Sequence, residues 1–124
     1  HAPHCAHEKD VEFDYAPFGI TGLETEVALS LMQLVHAGHL SLPDMIAKYT
    51  INPARLLNLP KGTLSPGADA DATVINPDEE WVFDAATSPS KSANSPFTGW
   101  TLKGKPSMTL VGGKIVWRGD AVNA

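Results

Sequence analysis

The feature that most limits what this chain can fold into is a change of pattern near residue 60, at Leu59-Pro60-Lys61-Gly62. Before it, apolar residues recur at helical spacing. After it, short β-branched runs are separated by Gly, Pro and Asp. A helical period and a period of two cannot belong to one kind of element, so the chain is predicted to be helical first and β second. Thr21-Gly22-Leu23-Glu24 has the form of a capping box, in which a Thr hydroxyl and a Glu three residues on satisfy free N–H groups at a helix start. Leu23, Val27, Leu31, Leu34 and Val35 then give one apolar stripe, and Gly38 is placed to end the helix, which predicts a helix over 22–37. Ser41 with Pro43 and Asp44 predicts a second helix to about Tyr49, and Asn52-Pro53 a third through Leu57. In the second half, Ala72–Ile75 and Trp81–Phe83 are strand candidates. Ser107–Val111 pairs with Lys114–Trp117 across Gly112-Gly113, a two-glycine hairpin turn whose positions both favour positive φ. Ser88 to Leu102 is too polar and too rich in Pro and Gly to read as strand.

Composition removes several classes of function. A formal charge of -5, with 9 Lys and Arg that are nowhere clustered, argues against nucleic acid or an anionic membrane as a partner. No uninterrupted apolar stretch reaches the roughly 18 residues of a membrane span, so small molecules and proteins remain as partners. Cys5 is the sole cysteine and has no internal disulfide partner, which fits a reducing cytoplasm. It is expected to be a small buried filler.

The chemistry should sit at the start. Residues 1–20 hold three of the five histidines and two prolines without any sustained period, and read as a long loop of the kind that carries function. His1, His4 and His7 admit a metal-ligand reading and a more frequent one, in which the rings bond to backbone. His36 and His39 lie at a helix C-terminus and read as structural. Phe18-Gly19 admits a turn with a core-filling Phe. Lys91 and Asn94 read as surface loop, and Asp69 and Asp71 as side chains shaping the turn into the strand at 72.

Taken in order, His1-Ala2-Pro3-His4, Glu8-Lys9, Ala16-Pro17-Phe18-Gly19-Ile20, Gly22-Leu23-Glu24-Thr25, Asn52-Pro53-Ala54, Gly67-Ala68-Asp69-Ala70-Asp71, Ser90-Lys91-Ser92-Ala93-Asn94-Ser95-Pro96-Phe97 and Gly112-Gly113-Lys114 resemble the C-terminal signatures of bacterial type I dihydroorotases, members of the amidohydrolase superfamily. The resemblance spans nearly the whole chain. It implies an α/β fold: residues 1–60 as the end of a metal-dependent (β/α)8 barrel, with the last strand's loop and closing helices, and residues 61–124 as the C-terminal share of a small composite β-sandwich. A barrel needs about 250 residues, and the chain begins with His rather than Met, so it is expected to be a fragment, inactive alone. The resemblance further implies a zinc-dependent cyclic amide hydrolase that interconverts dihydroorotate and N-carbamoyl-aspartate in pyrimidine synthesis. His4, Phe18 and Gly19 would contact the small-molecule substrate. The zinc ligands, and a general-base Asp expected just before His1, would lie outside the chain, leaving no catalytic or metal-binding residue within it. The rest of the dihydroorotase chain is the expected partner, with aspartate transcarbamoylase as a further one. The alternatives are an allantoinase or dihydropyrimidinase, and an inactive dihydroorotase-like scaffold subunit of aspartate transcarbamoylase.

Overall fold

The computed structural model describes residues 1–119. Its elements run in the order α1 (Ala6–Lys9), α2 (Glu26–Ser30), a π-helical segment (Leu31–His36), α3 (Leu42–Tyr49), α4 (Ile51–Leu56), β1 (Ala72–Val82), a 3-10 turn (Ala85–Thr87), β2 (Thr101–Val111) and β3 (Lys114–Arg118). Helices come first and an antiparallel sheet of order β1-β2-β3 follows. α2 and the π segment lie against β2.

The first long helix differs from the sequence expectation at both its start and its face. Regular α-helix begins at Glu26 rather than 22, and residues 23–25 form a turn. The expected capping box does not form. Thr21 is buried, and its N–H donates to the Asn94 carbonyl, while Glu24 accepts a bond from Ser88 Oγ at 2.6 Å. The free N–H groups of Gly22 and Leu23 go instead to His1 Nδ1, at 3.0 and 3.3 Å. A residue 21 positions before Gly22 thus supplies the cap that a local Thr was expected to supply. The buried face carries Thr21, Thr25, Ala28 and Leu31, of which only Leu31 belongs to the expected stripe; Leu23 is exposed. After Ser30 the helix widens to π geometry. It stops at Gly38, whose φ of 77° lets the chain turn back while the Leu34 carbonyl accepts from the N–H groups of His39 and Leu40. α3 starts as expected, with Ser41 Oγ accepting from the Asp44 N–H at 3.2 Å. α4 starts slightly earlier than expected, at Ile51.

In the sheet, the runs 72–75 and 81–83, expected as separate strands, are joined into one strand, β1, which ends at Val82, just before Phe83. Asn76-Pro77-Asp78-Glu79, between the two runs, is absorbed as an irregularity: pairing jumps from Asn76↔Lys105 to Glu80↔Lys103. Pro77 has no N–H to give to a ladder, so a bulge is where a strand tolerates it. The hairpin forms as expected, with Gly112 at φ 55° and Gly113 at φ 74°.

The central core is Ala28, Phe83, Ala85 and Leu102, with Leu29, Met32, Trp81 and Phe97 packed on it. It straddles both halves of the chain. Gly104 lets β2 approach the helix: a Cβ built there would stand 2.3 Å from Leu31 Cδ1. Trp81 meets Phe83 edge to face with centroids 6.0 Å apart and donates from Nε1 to the Gly104 carbonyl at 3.1 Å. Much apolar surface lies outside this core. Leu56, Leu57, Leu59 and Leu64 are exposed, as are Ile115, Val116 and Trp117 on β3.

Candidate functional site

The site is built on three segments that converge although they are distant in sequence: residues 1–10, the loop at 16–20 and the loop at 90–95. α1 is a single turn, closed at its start by Glu8, whose carboxylate accepts from the Cys5 N–H at 2.6 Å. That backbone bond is the main reason the Glu8 carboxyl titrates below the ordinary carboxylate value; His4 and His7 nearby act in the same direction. The turn aims Lys9 at the second segment, where Nζ donates to the Pro17 carbonyl at 2.5 Å and the Gly19 carbonyl at 2.7 Å. An ammonium is a compact three-donor group and can bridge two carbonyls of one tight loop.

His4 Nε2 lies 3.0 Å from the Phe18 carbonyl. A carbonyl oxygen only accepts, so Nε2 carries the proton in this contact and Nδ1 is the ring nitrogen it does not use. Gly19 sits at φ 98°, and a Cβ added there would stand 2.5 Å from Ala2 Cβ, so only glycine fits. The N–H of Ala2 donates to the Ile20 carbonyl at 2.8 Å, closing the loop against the start of the chain. Phe18 is 92% exposed, which rules out the core-filling reading of this ring. The geometry brings His4, Phe18 and Gly19 together, the three residues that the resemblance groups.

The third segment was read from sequence as surface, yet it holds His4 in place. Asn94 Oδ1 accepts from the His4 N–H at 3.2 Å, its Nδ2 donates to the Ala2 carbonyl at 2.9 Å, and Ser92 Oγ donates to the His4 carbonyl. An open hollow of about 360 Å³ lies beside them, lined by His4, Ala6, Lys9, Asp10, Ala93 and Asn94. Two larger depressions, about 600 and 430 Å³, lie along the sheet and are lined mainly by apolar side chains; neither contains these residues. His4, Lys9 and Asn94, which tie the three segments together, all line the smaller hollow.

The remaining candidates take structural places. His1 caps the helix start as described, and His36 Nε2 donates to the Pro77 carbonyl at 2.9 Å. Among the described residues, no group of three or more His, Cys, Asp or Glu side chains stands close enough to hold a metal ion. The backbone-bonding reading of His1 and His4 is the one observed. Cys5 is exposed rather than a buried filler, because it starts a turn on the surface. Asp69 and Asp71 act at longer range than the local turn expected of them. Both pair with Lys61 Nζ, at 2.6 and 2.8 Å, and Asp71 Oδ1 accepts from the Gly112 N–H at 2.8 Å, tying the loop before β1 to the hairpin. These bonds raise the Lys61 amine well above its usual value. They also lower the Asp71 carboxyl, through the Lys61 bond first and the Gly112 bond second. Sequence reasoning missed Asn94, Ser92 and the work of Lys9. The signal was present in Glu8-Lys9 and in the Ser-Lys-Ser-Ala-Asn-Ser-Pro-Phe run, but no local pattern says what those side chains reach.

Comparison with known proteins adds the following. The sequence model of the amidohydrolase family matches residues 13–116. The dihydroorotase of Syntrophus aciditrophicus (strain SB) is 57% identical over 120 residues, which are 97% of this chain and 28% of that protein. The dihydroorotase of Pelotomaculum thermopropionicum is 55% identical over 116 residues, 94% of this chain and 27% of that protein. The chain thus spans a little over a quarter of the length of the curated relatives it matches. Among solved structures, the L-hydantoinase (dihydropyrimidinase) from Arthrobacter aurescens superposes with a TM-score of 0.77 at 35% identity, covering 84% of this chain and 24% of that one. A D-hydantoinase superposes with a TM-score of 0.76 at 26% identity, covering 92% and 25%.

Proposed function

The chain belongs to the amidohydrolase family, and we propose that the protein it is part of is a dihydroorotase, a cyclic amide hydrolase that interconverts dihydroorotate and N-carbamoyl-aspartate in pyrimidine synthesis in the cytoplasm. The observation that carries this reading is the junction of His4 with the Phe18-Gly19 loop, the same residues that the dihydroorotase pattern groups as substrate contacts. Identity of 57% to a curated dihydroorotase supports it. In this reading residues 1–60 close a (β/α)8 barrel and residues 61–124 are one share of a composite β-sandwich.

The local chemistry suits an anionic substrate. With Nε2–H committed to the Phe18 carbonyl, His4 meets a ligand through Nδ1. A carboxylate there accepts from a ring N–H, a charge-assisted bond of roughly 1.5–3 kcal/mol. Gly19, without a Cβ, lets the loop backbone lie against Ala2 and so keeps Phe18 O within reach of His4.

Zinc, when bound in such enzymes, lowers the pKa of a water and polarises the amide carbonyl. The donor set of residues 1–119 does not fit it. In this reading the zinc ligands, the general-base Asp and the chemical step are supplied by other parts of the enzyme.

The test is turnover of dihydroorotate and N-carbamoyl-aspartate by the full-length protein, with hydantoin and dihydrouracil as the competing neutral cyclic amides. Dihydroorotate turnover that His4→Ala weakens mainly through KM, with zinc content unchanged, is the expected result. Preference for hydantoin would favour the reading suggested by the solved neighbours. Binding without turnover, together with co-purification of aspartate transcarbamoylase, would favour the scaffold reading.

A further inference from the structure

Asn94 is ninety residues from His4 in sequence and belongs to a loop between strands, yet its side-chain amide meets the backbone on both sides of Pro3. The pattern is specific. In a parallel ladder, the residue facing position i of a strand donates its N–H to the carbonyl of i−1 and accepts at its own carbonyl from the N–H of i+1. Asn94 does both with one primary amide: Nδ2 donates to Ala2 O at 2.9 Å and Oδ1 accepts from His4 N at 3.2 Å. The orientation of the amide is fixed by its partners, since the backbone N–H can only donate and the carbonyl can only accept. Pro3, between the two contacts, has no N–H to offer in any alternative pairing. The same loop repeats the grip at Ser92 Oγ, which donates to His4 O, and at the Asn94 carbonyl, which accepts from the Thr21 N–H at 3.3 Å. The backbone of His4 is therefore fixed at its N–H and at its carbonyl by residues 92 and 94.

We infer that Asn94 is a positioning residue for substrate binding: its amide pairs with the backbone as a peptide of a parallel neighbour would and sets where the His4 ring meets the substrate carboxylate. This rests on the reading of His4 as the carboxylate contact given above. Only an amide serves. Aspartate has the same shape but would turn an acceptor toward the Ala2 carbonyl, and alanine leaves two backbone groups unpaired. The ring would then lose its register against Phe18 O, and misplacement by about 1 Å at such a site costs up to about a hundredfold.

The experiment uses full-length enzyme carrying Asn94→Ala, Asn94→Asp, Ser92→Ala, His4→Ala and the double variant Asn94→Ala/His4→Ala. KM and kcat are measured with dihydroorotate and with neutral dihydrouracil. The Asn94 variants should raise KM for dihydroorotate about ten- to a hundredfold with little change in kcat, leave KM for the neutral amide alone, and add nothing in the His4→Ala background. Ser92→Ala, which removes one grip of two, should do the same to a smaller degree, and stands in should the Asn94 variants fail to fold. Equal losses with both substrates, or effects that add fully to His4→Ala, would reduce Asn94 to a general structural role and overturn the inference. The wild type and His4→Ala read the underlying assignment separately. If His4→Ala leaves KM for dihydroorotate unchanged, or if the wild type neither turns over nor binds the two anions, that assignment fails and the inference with it. If the wild type binds without turnover, the activity fails alone, and Kd for N-carbamoyl-aspartate decides on Asn94 by the same criteria.

Discussion

Replacing Gly19 by alanine tests the site at its tightest point. The backbone there has φ 98°, outside what L side chains adopt at low cost, and the new Cβ would lie 2.5 Å from Ala2 Cβ, where ordinary contacts begin near 3.4 Å. The backbone conformation costs an alanine roughly 1–2 kcal/mol, and overpacking of this size costs roughly 1–3 kcal/mol where neighbours cannot give. Ala2 cannot give freely, because its N–H is held by Ile20 O and its carbonyl by Asn94 Nδ2, and Pro3 follows it. The loop itself is exposed and can move. Moving it releases the Lys9 bond to Gly19 O and shifts Phe18 O away from His4. The expected outcome is therefore a modest loss of stability, about 2 kcal/mol at the low end of those ranges, with a larger effect on substrate binding. Denaturant unfolding and steady-state kinetics of the full-length protein measure the two. Gly22→Ala is the control, since no atom lies within 4 Å of its added Cβ. Gly19→Ala matching Gly22→Ala in both unfolding and KM would refute the close-approach argument.

Three further outcomes follow from the packing and the charges. Gly104→Ala drives a methyl to 2.3 Å from Leu31 Cδ1 at φ 96°, between β2 and the π segment, so it should destabilise by at least the roughly 1–3 kcal/mol of core overpacking; an unchanged unfolding midpoint would mean that Leu31 repacks without cost. The Asp71 carboxyl is depressed in the folded state, so the stability it lends is present above its unfolded value of about 3.9 and is lost as pH falls through the lower folded value. Asp71→Asn should flatten that acid limb of the melting profile, and an identical limb in the variant would show that the Lys61 and Gly112 contacts contribute nothing. The 124-residue chain by itself should bind a hydrophobic dye and self-associate, given the exposed leucines at 56, 57, 59 and 64 and the open edge at β3. A compact monomer with a sharp melt and no dye binding would overturn this.

Local pattern was enough for elements whose signals are local. Ser41 and Asp44 fixed the start of α3, Gly38 the end of the π segment, and Gly112-Gly113 the β2–β3 turn, because each depends on the conformational freedom or the short reach of residues within a turn. The grouping of His4 with Phe18 and Gly19 came from the resemblance to dihydroorotases, not from any local period. Where a local signal competed with a distant partner, the distant partner won. Thr21 and Glu24 formed no capping box, because His1 took the free N–H groups while Asn94 and Ser88 engaged Thr21 and Glu24. The two strand candidates at 72–75 and 81–83 did not stay separate, because the β2 ladder carries the strand through Asn76–Glu79 as a bulge. Which helix face is buried was settled by Gly104 and Leu102 on β2, which meet Ala28 and Leu31 rather than Leu23. The grip of Asn94 on Ala2 and His4 is of the same kind: a hydrogen bond across ninety residues leaves no period or spacing in sequence, and only the folded chain brings donor and acceptor within 3 Å or so of each other.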